Sequence, residues 1–268
     1  ITLDLKVVLD GSSGPYYFLI DADEDFAKIF KVKADFSSEM PRTPENEQQY
    51  AGFVAARCAE ELLRPFDCGA VAKVVEFGSR AAEDQTKLSV RFGEIADLLR
   101  EANYWAGKAG REPATAADVQ KAVEEKVYRS NETEQYMRDR ILEGSIFIDT
   151  SGEVVGQVNA LSVSASADYS YCLPSRITAR TFVGHSGISQ IERDTNMAGP
   201  IHNKGLLTLT SFFNATYASQ RAVSFSAQIT FEQTYGGVEG DSASCAELYA
   251  LLSSLSGRPV KQSLAVTG

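Results

Sequence analysis

The sequence has few cysteines and no long apolar run. Its four cysteines have no CxxC spacing, which argues against a zinc site or a redox motif, and no metal site is expected. Three of them lie inside apolar or helical patterns, so we expect buried free thiols, a reducing compartment and a cytoplasmic location. No apolar stretch approaches the roughly 20 residues of a membrane-spanning helix, and no basic-then-apolar leader follows Ile1. No membrane segment is therefore expected, and the start at Ile1 suggests a piece of a longer polypeptide.

Basic residues are also in the minority. The 268 residues include 26 Lys and Arg against 36 Asp and Glu, a formal net charge of -10. Nucleic-acid surfaces depend on clustered Lys and Arg, so no nucleic-acid partner is expected. A hydrophobic content of 44% indicates a globular chain, and this length is enough for more than one core.

The apolar pattern changes twice along the chain. Residues 1–42 contain the runs LDLKVVLD and PYYFLI around a Gly/Ser/Pro turn, followed by KIFKVKADF, and these predict strands of an α/β domain. Residues 43–128 have helical spacing and predict a small bundle. Residues 129–268 return to strands, with GSIFID, a TSGE turn, VVGQVNALSVS and RITARTFVG.

Three helices are predicted in the bundle. The first has Pro44 in its first turn and an apolar face of Tyr50, Phe53, Val54, Cys58 and Leu62. The second follows Ser89 as a possible N-cap, and the third begins at Thr115, whose spacing to Asp118 is a variant of the capping box.

The clearest strand leads into the motif GVEGDSASCAELYALLSSLSG. That strand alternates Val223, Phe225, Ala227, Ile229 and Phe231 with polar residues. The motif then predicts a helix from Ala243 to Leu255, buried on most sides and ended by Gly257. The start of such a helix has backbone N–H groups without intrahelical partners and a positive dipole, so it would stabilise an anion.

Ser242 has two interpretations. Asp241, Ser242 or Ser244 could simply cap the helix. A cap needs only one acceptor, however, whereas Glu239 and these three residues are crowded together among glycines. Ser242 is therefore a candidate nucleophile, with neighbouring N–H groups as an oxyanion hole.

A serine nucleophile needs a base, and the sequence leaves several alternatives open. His185 and His202 are the only histidines, and a loop histidine is more often structural. A desolvated lysine is the other option, because burial lowers the lysine pKa. Lys204 and Lys261 are nearest in sequence, and both are expected to face solvent.

The segment TFEQTYGGVEGDSASCAELYALLSSLSGRPVKQSLAVTG resembles the proteolytic domain of Lon-type ATP-dependent proteases, in the variety with Gly-Asp-Ser-Ala-Ser. The resemblance implies that Ser242 is the nucleophile of a Ser–Lys dyad, that Glu239 is its acidic neighbour and that Thr267 orients the lysine amine. It also implies that the lysine lies beyond Gly268. We therefore expect this chain by itself to be inactive.

The resemblance extends upstream through EGSIFIDTSGEVVGQVNALSV and GPIHNKGLLTLTSFF. SRAAEDQTKLSVRFGEIADLLREANYWA is similar to the lid of the fused AAA+ module, and Arg91 matches the sensor-2 arginine that touches a nucleotide phosphate. The turn from Asp10 to Ser12 lies near the sensor-1 position but lacks its Asn. No GxxxxGK[ST] loop occurs, so ATP and Mg²⁺ are expected as cofactors of the longer protein and not as tight ligands of this chain.

These expectations define an α+β chain: the end of an AAA+ α/β core (residues 1–42), a helical lid (43–128) and an incomplete Lon-type α+β proteolytic domain (129–268). The implied function is an ATP-dependent serine endopeptidase that acts on unfolded or tagged polypeptides as a homo-hexamer. Two alternatives remain. One is a non-catalytic module for assembly or substrate binding in which Ser242 only caps, and the other is a nucleotide switch that uses the bundle and Arg91 without proteolysis.

Overall fold

The computed structural model describes residues 5–166, 169–218 and 224–268. The chain divides into two compact units between Val123 and Glu124. Helices and strands occur together in both units, which confirms the α+β class. The finer division at residues 42 and 128 stays a prediction.

The first unit is mainly helical. Its two short strands, β1 and β2, pair antiparallel. The elements are α1 (Ser13–Ala22), α2 (Phe26–Ile29), β1 (Glu39–Pro41), α3 (Pro44–Glu60), α4 (Cys68–Ala81), β2 (Lys87–Ser89), α5 (Phe92–Lys108) and α6 (Ala116–Ser130), the last of which crosses the division.

The three runs predicted as strands before residue 37 are wrong over their described residues, and Leu3 and Asp4 lie outside them. Residues 5–12 have no regular structure, the run PYYFLI lies in α1, and KIFKVKADF begins in α2 and continues without a strand. A strand needs a partner for its backbone groups, and none of the described residues pairs with these runs. Pro15 suits the first turn of α1 because its missing N–H has no intrahelical role there.

The bundle is confirmed, with one helix that the sequence pattern missed. Buried residues of α3, α4, α5 and α6 share one core. Leu62 is wrong as a core residue: it follows α3 with φ 54° and is exposed. Ser89 is also wrong as an N-cap, because it belongs to β2 and Arg91 holds the N-cap position of α5.

The capping box of α6 is confirmed. The Asp118 carboxylate accepts hydrogen bonds from the Thr115 backbone N–H at 2.9 Å and from the Thr115 hydroxyl at 2.8 Å. Asp118 is fully buried and also pairs with Arg111. The hydrogen bond from the Arg111 guanidinium, together with those from Thr115, lowers the Asp118 pKa to about 2.

Gly78 tests the packing of the bundle. A Cβ there would lie 2.5 Å from the Tyr50 hydroxyl oxygen, and Tyr50 is fully buried with its hydroxyl donating to the Ser89 carbonyl. We predict that Gly78→Ala lowers the free energy of unfolding by about 1–3 kcal/mol through overpacking. The control Gly52→Ala has open space in α3 and should stabilise the helix by about 0.5–1 kcal/mol. Urea unfolding followed by Trp105 fluorescence measures the free energy of unfolding of both variants, because Trp105 is the only tryptophan of the sequence. Equal changes in that free energy would contradict the close packing at Gly78.

The second unit is built on a five-stranded sheet of order β6-β7-β5-β4-β9. The β6–β7 and β4–β9 pairs are parallel, and the two central pairs are antiparallel. The elements are α7 (Glu132–Leu142), β3 (Glu153–Val154), β4 (Gln157–Ser166), β5 (Tyr169–Phe182), β6 (Gly187–Gln190), α8 (Ile191–Asp194), α9 (Pro200–Tyr217), β7 (Ser226–Phe231), α10 (Ser244–Ser256), β8 (Val260–Lys261) and β9 (Ala265–Val266).

Most strands of this unit follow the sequence pattern. VVGQVNALSVS becomes β3 and β4, separated at Gly156 with φ 73°, and RITARTFVG lies largely in β5. Ala227, Ile229 and Phe231 of β7 are buried as expected, whereas Val223 lies outside the described residues. GSIFID is wrong as a strand, because residues 144–149 have no ladder partner in the described part of the chain.

The motif helix is confirmed as α10, but it is buried on one side only. Ala246, Ala250 and Leu251 pack against the sheet in one core, while Tyr249 and Leu255 are exposed. Helix and sheet approach closely: the Gly156 N–H donates to the Ser253 hydroxyl at 2.9 Å. Gly257 ends α10 in the left-handed conformation.

The expectation of buried thiols is wrong for most of the cysteines. All four are free, but only Cys58 is buried, and Cys68, Cys172 and Cys245 are exposed. Their neighbourhood in apolar patterns was misleading because each of these three occupies the solvent side of its helix or strand.

Candidate active site

The loop between β7 and α10 carries the candidate nucleophile. We call residues 236–243 the serine loop. Ser242 is exposed, and its hydroxyl has no hydrogen-bond partner among the described residues. A substrate can therefore reach this oxygen.

The capping interpretation of the loop does not hold. Ala243 occupies the N-cap position of α10, and no side chain accepts a hydrogen bond there. The Ser244 hydroxyl oxygen is buried without a partner in the described part of the chain. The polar residues ahead of α10 are thus not explained by capping.

Free backbone donors lie next to Ser242 along the chain. Within the described ranges, the N–H groups of Ser242, Ala243 and Cys245 have no backbone or side-chain acceptor; the Ser244 N–H bonds the Asp241 carbonyl at 3.1 Å. Free donors at a helix N-terminus carry partial positive charge. The arrangement is suited to stabilise an oxyanion beside Ser242.

The end of the chain lies against the serine loop. Strand β9 runs parallel to β4 and leads Thr267 and Gly268 towards Ser242. The Gly268 N–H donates to the Ser242 carbonyl at 2.9 Å. Thr267 is exposed and lies one residue from this contact, so two segments distant in sequence meet where the resemblance implied a shared site.

Glu239 contacts a different helix. Its Oε1 accepts a hydrogen bond from the Ile201 N–H at 3.0 Å, in the first turn of α9. No polar contact joins Glu239 to Ser242 among the described residues. The carboxylate instead stabilises the positive end of α9 and ties the serine loop to it.

Neither histidine is in a position to serve Ser242 as a base. His202 is fully buried, with Nδ1 at 3.0 Å from the Gly240 carbonyl oxygen and Nε2 at 2.6 Å from Gln190 Nε2. Both ring nitrogens are thus occupied. His185 pairs instead with the Ser224 hydroxyl at 2.7 Å.

The two nearby lysines face solvent, as expected. Lys204 and Lys261 are exposed, and neither has a recorded contact with Ser242 in the described part of the chain. Arg91, the candidate nucleotide contact, is also exposed, and its guanidinium pairs with Glu94 at 3.5 Å. The implied contact of Arg91 with a nucleotide phosphate stays a prediction. No group of three or more His, Cys, Asp or Glu side chains suited to a metal ion occurs among the described residues.

The sequence pattern missed a buried polar cluster behind the serine loop. We call it the loop-base cluster: Gln190 of β6, Glu192 of α8, His202 of α9 and Glu247 of α10, all at most 3% exposed. Glu247 was the available signal, because an acidic residue on the apolar face of a buried helix needs a partner. Its pKa is raised to about 8, first by burial and then by the negative charge of Glu192.

The raised pKa of Glu247 predicts how stability depends on pH. The folded chain holds a proton on Glu247 that the unfolded chain releases near pH 4.5. Stability from this residue is therefore fully present below about pH 4.5 and falls as pH rises to about 8. We predict that Glu247→Gln, which cannot ionise, flattens the decline of Tm between pH 5 and pH 8. The same dependence of Tm on pH in Glu247→Gln and in the unsubstituted chain would contradict this.

Gly199 tests the link between Glu239 and α9. A Cβ at Gly199 would lie 1.2 Å from Glu239 Oε2, so Gly199→Ala must displace that carboxylate. We predict that hydrogen exchange of the Ile201 amide then accelerates roughly 5–10-fold, the factor for a bond of about 1 kcal/mol. Gly236→Ala is the control, because its Cβ meets nothing within 4 Å. Unchanged exchange in Gly199→Ala would show that Glu239 does not hold this amide.

Comparison with known proteins gives the class of the first unit. A model of the archaeal LonB AAA+ ATPase lid domain matches residues 65–129, and a model of the LonB-like AAA domain matches residues 1–37. Residues 65–129 are thus similar to an AAA+ lid domain.

Relatives of the chain are named as Lon proteases. A protein named as a Lon protease homologue in Escherichia coli (strain K12) is 36% identical over 173 residues, covering 64% of this chain and 30% of the relative. A homologue so named in Haemophilus influenzae is 28% identical over 269 residues, covering 99% of this chain and 44% of the relative. An archaeal Lon protease from Archaeoglobus fulgidus is 30% identical over 235 residues, covering 85% of this chain and 36% of the relative.

These matches confirm the resemblance to Lon-type proteases and support the Lon-type AAA+ protease family for this chain. The chain spans less than half of the length of these relatives. Among the described residues, no helix has both the length and the apolar character to cross a membrane.

Proposed function

We propose that the protein is an ATP-dependent serine endopeptidase of the Lon type, with Ser242 as its nucleophile. The observation that carries the proposal is the placement of Ser242: exposed, without a side-chain partner, and beside free N–H groups at the start of a helix packed on the sheet. The names of the relatives support polypeptides as the substrates.

The chemistry is acyl transfer. The Ser242 oxygen attacks the scissile carbonyl and a lysine takes its proton, so that a C–O bond forms and the carbonyl oxygen becomes an oxyanion. N–H groups of the serine loop stabilise that oxyanion. The lysine then returns the proton to the leaving amine as the C–N bond breaks, and water hydrolyses the ester and restores Ser242.

The base in this proposal is a lysine that follows Gly268, as the resemblance implies. Thr267 is proposed to orient its amine, and the Gly268 N–H bond to the Ser242 carbonyl supports a common site. Glu239 acts through α9, because its carboxylate bonds the Ile201 N–H. This chain by itself is then expected to show no peptide cleavage.

ATP and Mg²⁺ are proposed as cofactors of the complete protein, to which they would supply the energy for unfolding substrates. From this chain, Arg91 would contact a nucleotide phosphate, and its exposure supports that role. A homo-hexameric ring in the cytoplasm and the absence of a nucleic-acid partner are part of the same proposal.

Matched serine variants test the nucleophile. We predict that Ser242→Ala abolishes fluorogenic peptide hydrolysis and ATP-dependent casein degradation by the complete protein, because the attacking oxygen is removed. Ser244→Ala should change the rates of peptide hydrolysis and casein degradation by less than about twofold, because the Ser244 hydroxyl oxygen is buried. ATP hydrolysis should persist in both variants.

Casein degradation that survives Ser242→Ala would contradict the proposal. A complete protein that degrades no casein would instead be a nucleotide switch if Arg91→Ala abolished its ATP hydrolysis, and a non-catalytic binding module if neither substitution had an effect.

A further inference from the structure

The loop-base cluster lies directly behind the serine loop and has no part in the chemistry described above. Its four members come from four different elements: β6, α8, α9 and α10. A buried polar side chain is costly unless it is hydrogen-bonded. Four such side chains together behind the serine loop indicate a functional role.

The hydrogen bonds of the cluster have a definite direction. A carbonyl oxygen can only accept, so His202 donates from Nδ1 to the Gly240 carbonyl at 3.0 Å. The neutral ring then accepts at Nε2, and Gln190 Nε2 donates to it at 2.6 Å. The same Gln190 amide donates to Glu247 Oε1. Gln190 thereby selects the tautomer in which the His202 proton faces the serine loop.

The Gln190 N–H that faces Nε2 requires a neutral ring, because an imidazolium has no acceptor. Glu192 of α8 and His202 of α9 are the titratable groups that face Glu247, whose Oε1 lies 3.6 Å from His202 Nε2. Glu192 Oε1 accepts hydrogen bonds from the Thr230 hydroxyl and the Phe231 N–H, both at 2.8 Å, whereas its Oε2 is buried without a partner among the described residues. Buried Glu247 favours its protonated form, so no carboxylate charge from that residue draws a proton onto Nε2.

Other contacts fix the neighbours of Gly240 but not its own carbonyl. Val238 pairs with Met197 and Gly199, and Glu239 bonds the Ile201 N–H. Gly240 has φ 90°, a conformation that only glycine adopts readily. Among the described residues, His202 is the hydrogen-bond donor to this carbonyl, in the peptide that immediately precedes Asp241 and Ser242.

We propose that His202 is a positioning residue for Ser242, acting through the Gly240 carbonyl, with Gln190 and Glu247 setting its tautomer. The inference rests on the proposed function, because positioning matters only if Ser242 reacts. Loss of the Nδ1 donor would let the serine loop move, and a displacement of about 1 Å at a nucleophile costs about 10²-fold in rate.

Two substitutions of His202 separate its two nitrogens. The amide nitrogen of Asn takes the place of Nδ1 and keeps a donor for Gly240, whereas that of Gln takes the place of Nε2 and does not. In the complete protein, we expect His202→Gln to slow fluorophosphonate labelling of Ser242 about 10²-fold, whereas His202→Asn should recover most of that rate. The same pair at exposed His185, the other histidine, should show no such difference.

Controls keep the outcomes distinct. ATP hydrolysis and Tm are measured alongside, and Ser242→Ala must abolish labelling; persistent labelling there would refute the proposed function itself. If Ser242→Ala abolishes labelling but both folded His202 variants label equally, the positioning role is overturned and the proposed function stands.

A second variant covers the case in which His202→Gln does not fold. Gln190→Met keeps the volume but removes the amide that fixes the tautomer, so labelling should slow several-fold without loss of a cooperative transition. Labelling at the wild-type rate in folded Gln190→Met would then overturn the proposal.

Discussion

The packing of α10 against the five-stranded sheet is the constraint on which the candidate site depends. Ala246, Ala250 and Leu251 bury one side of the helix against β4, β5 and β7. The close approach at Gly156, where a Cβ would lie 2.5 Å from the Ala179 carbonyl oxygen, fixes the strand that leads into β4. Once the helix is held, its N-terminus and the free N–H groups there have a fixed place, and Ser242 lies at the surface beside them.

The serine loop is held from three directions without a contact to the Ser242 hydroxyl itself. The first turns of α9 hold Glu239, and a Cβ at Gly205 would lie 3.1 Å from the Asp241 Cβ. The Gly268 N–H holds the Ser242 carbonyl from the side of β9. From the core, His202 holds the Gly240 carbonyl. The backbone is thereby ordered while the nucleophilic oxygen stays free, the combination that preorganised catalysis requires.

The sequence predicted the helices and strands whose apolar residues recur with a regular local period. The helices α3, α5, α6 and α10 and the strand β7 have apolar faces that repeat at 3.6 or 2 residues, and the structure confirms them. The apolar runs before residue 37 failed because a strand depends on partners elsewhere in the chain, which a local pattern does not contain. Helix α4 was missed, although Asp67 caps it.

The candidate site was predictable in part for the same reason. Ser242 and its helix are features of a local sequence pattern, and the family resemblance implied the roles of Glu239, Thr267 and Arg91. The contact of Glu239 with α9 and the loop-base cluster were not predictable, because the cluster's four members lie on β6, α8, α9 and α10 and meet only after these elements pack together. Burial, which raises the pKa of Glu247, is likewise a property of the folded core and not of the sequence motif.

The central claim is that the exposed hydroxyl of Ser242 is an activated nucleophile. Its most direct test is to treat the complete protein with a fluorophosphonate and to locate the adduct by peptide mass spectrometry. The account predicts a single stoichiometric adduct on Ser242 that is lost when the protein is unfolded before treatment. An unmodified Ser242 in the folded, ATP-hydrolysing protein, or an adduct on another serine, would contradict it.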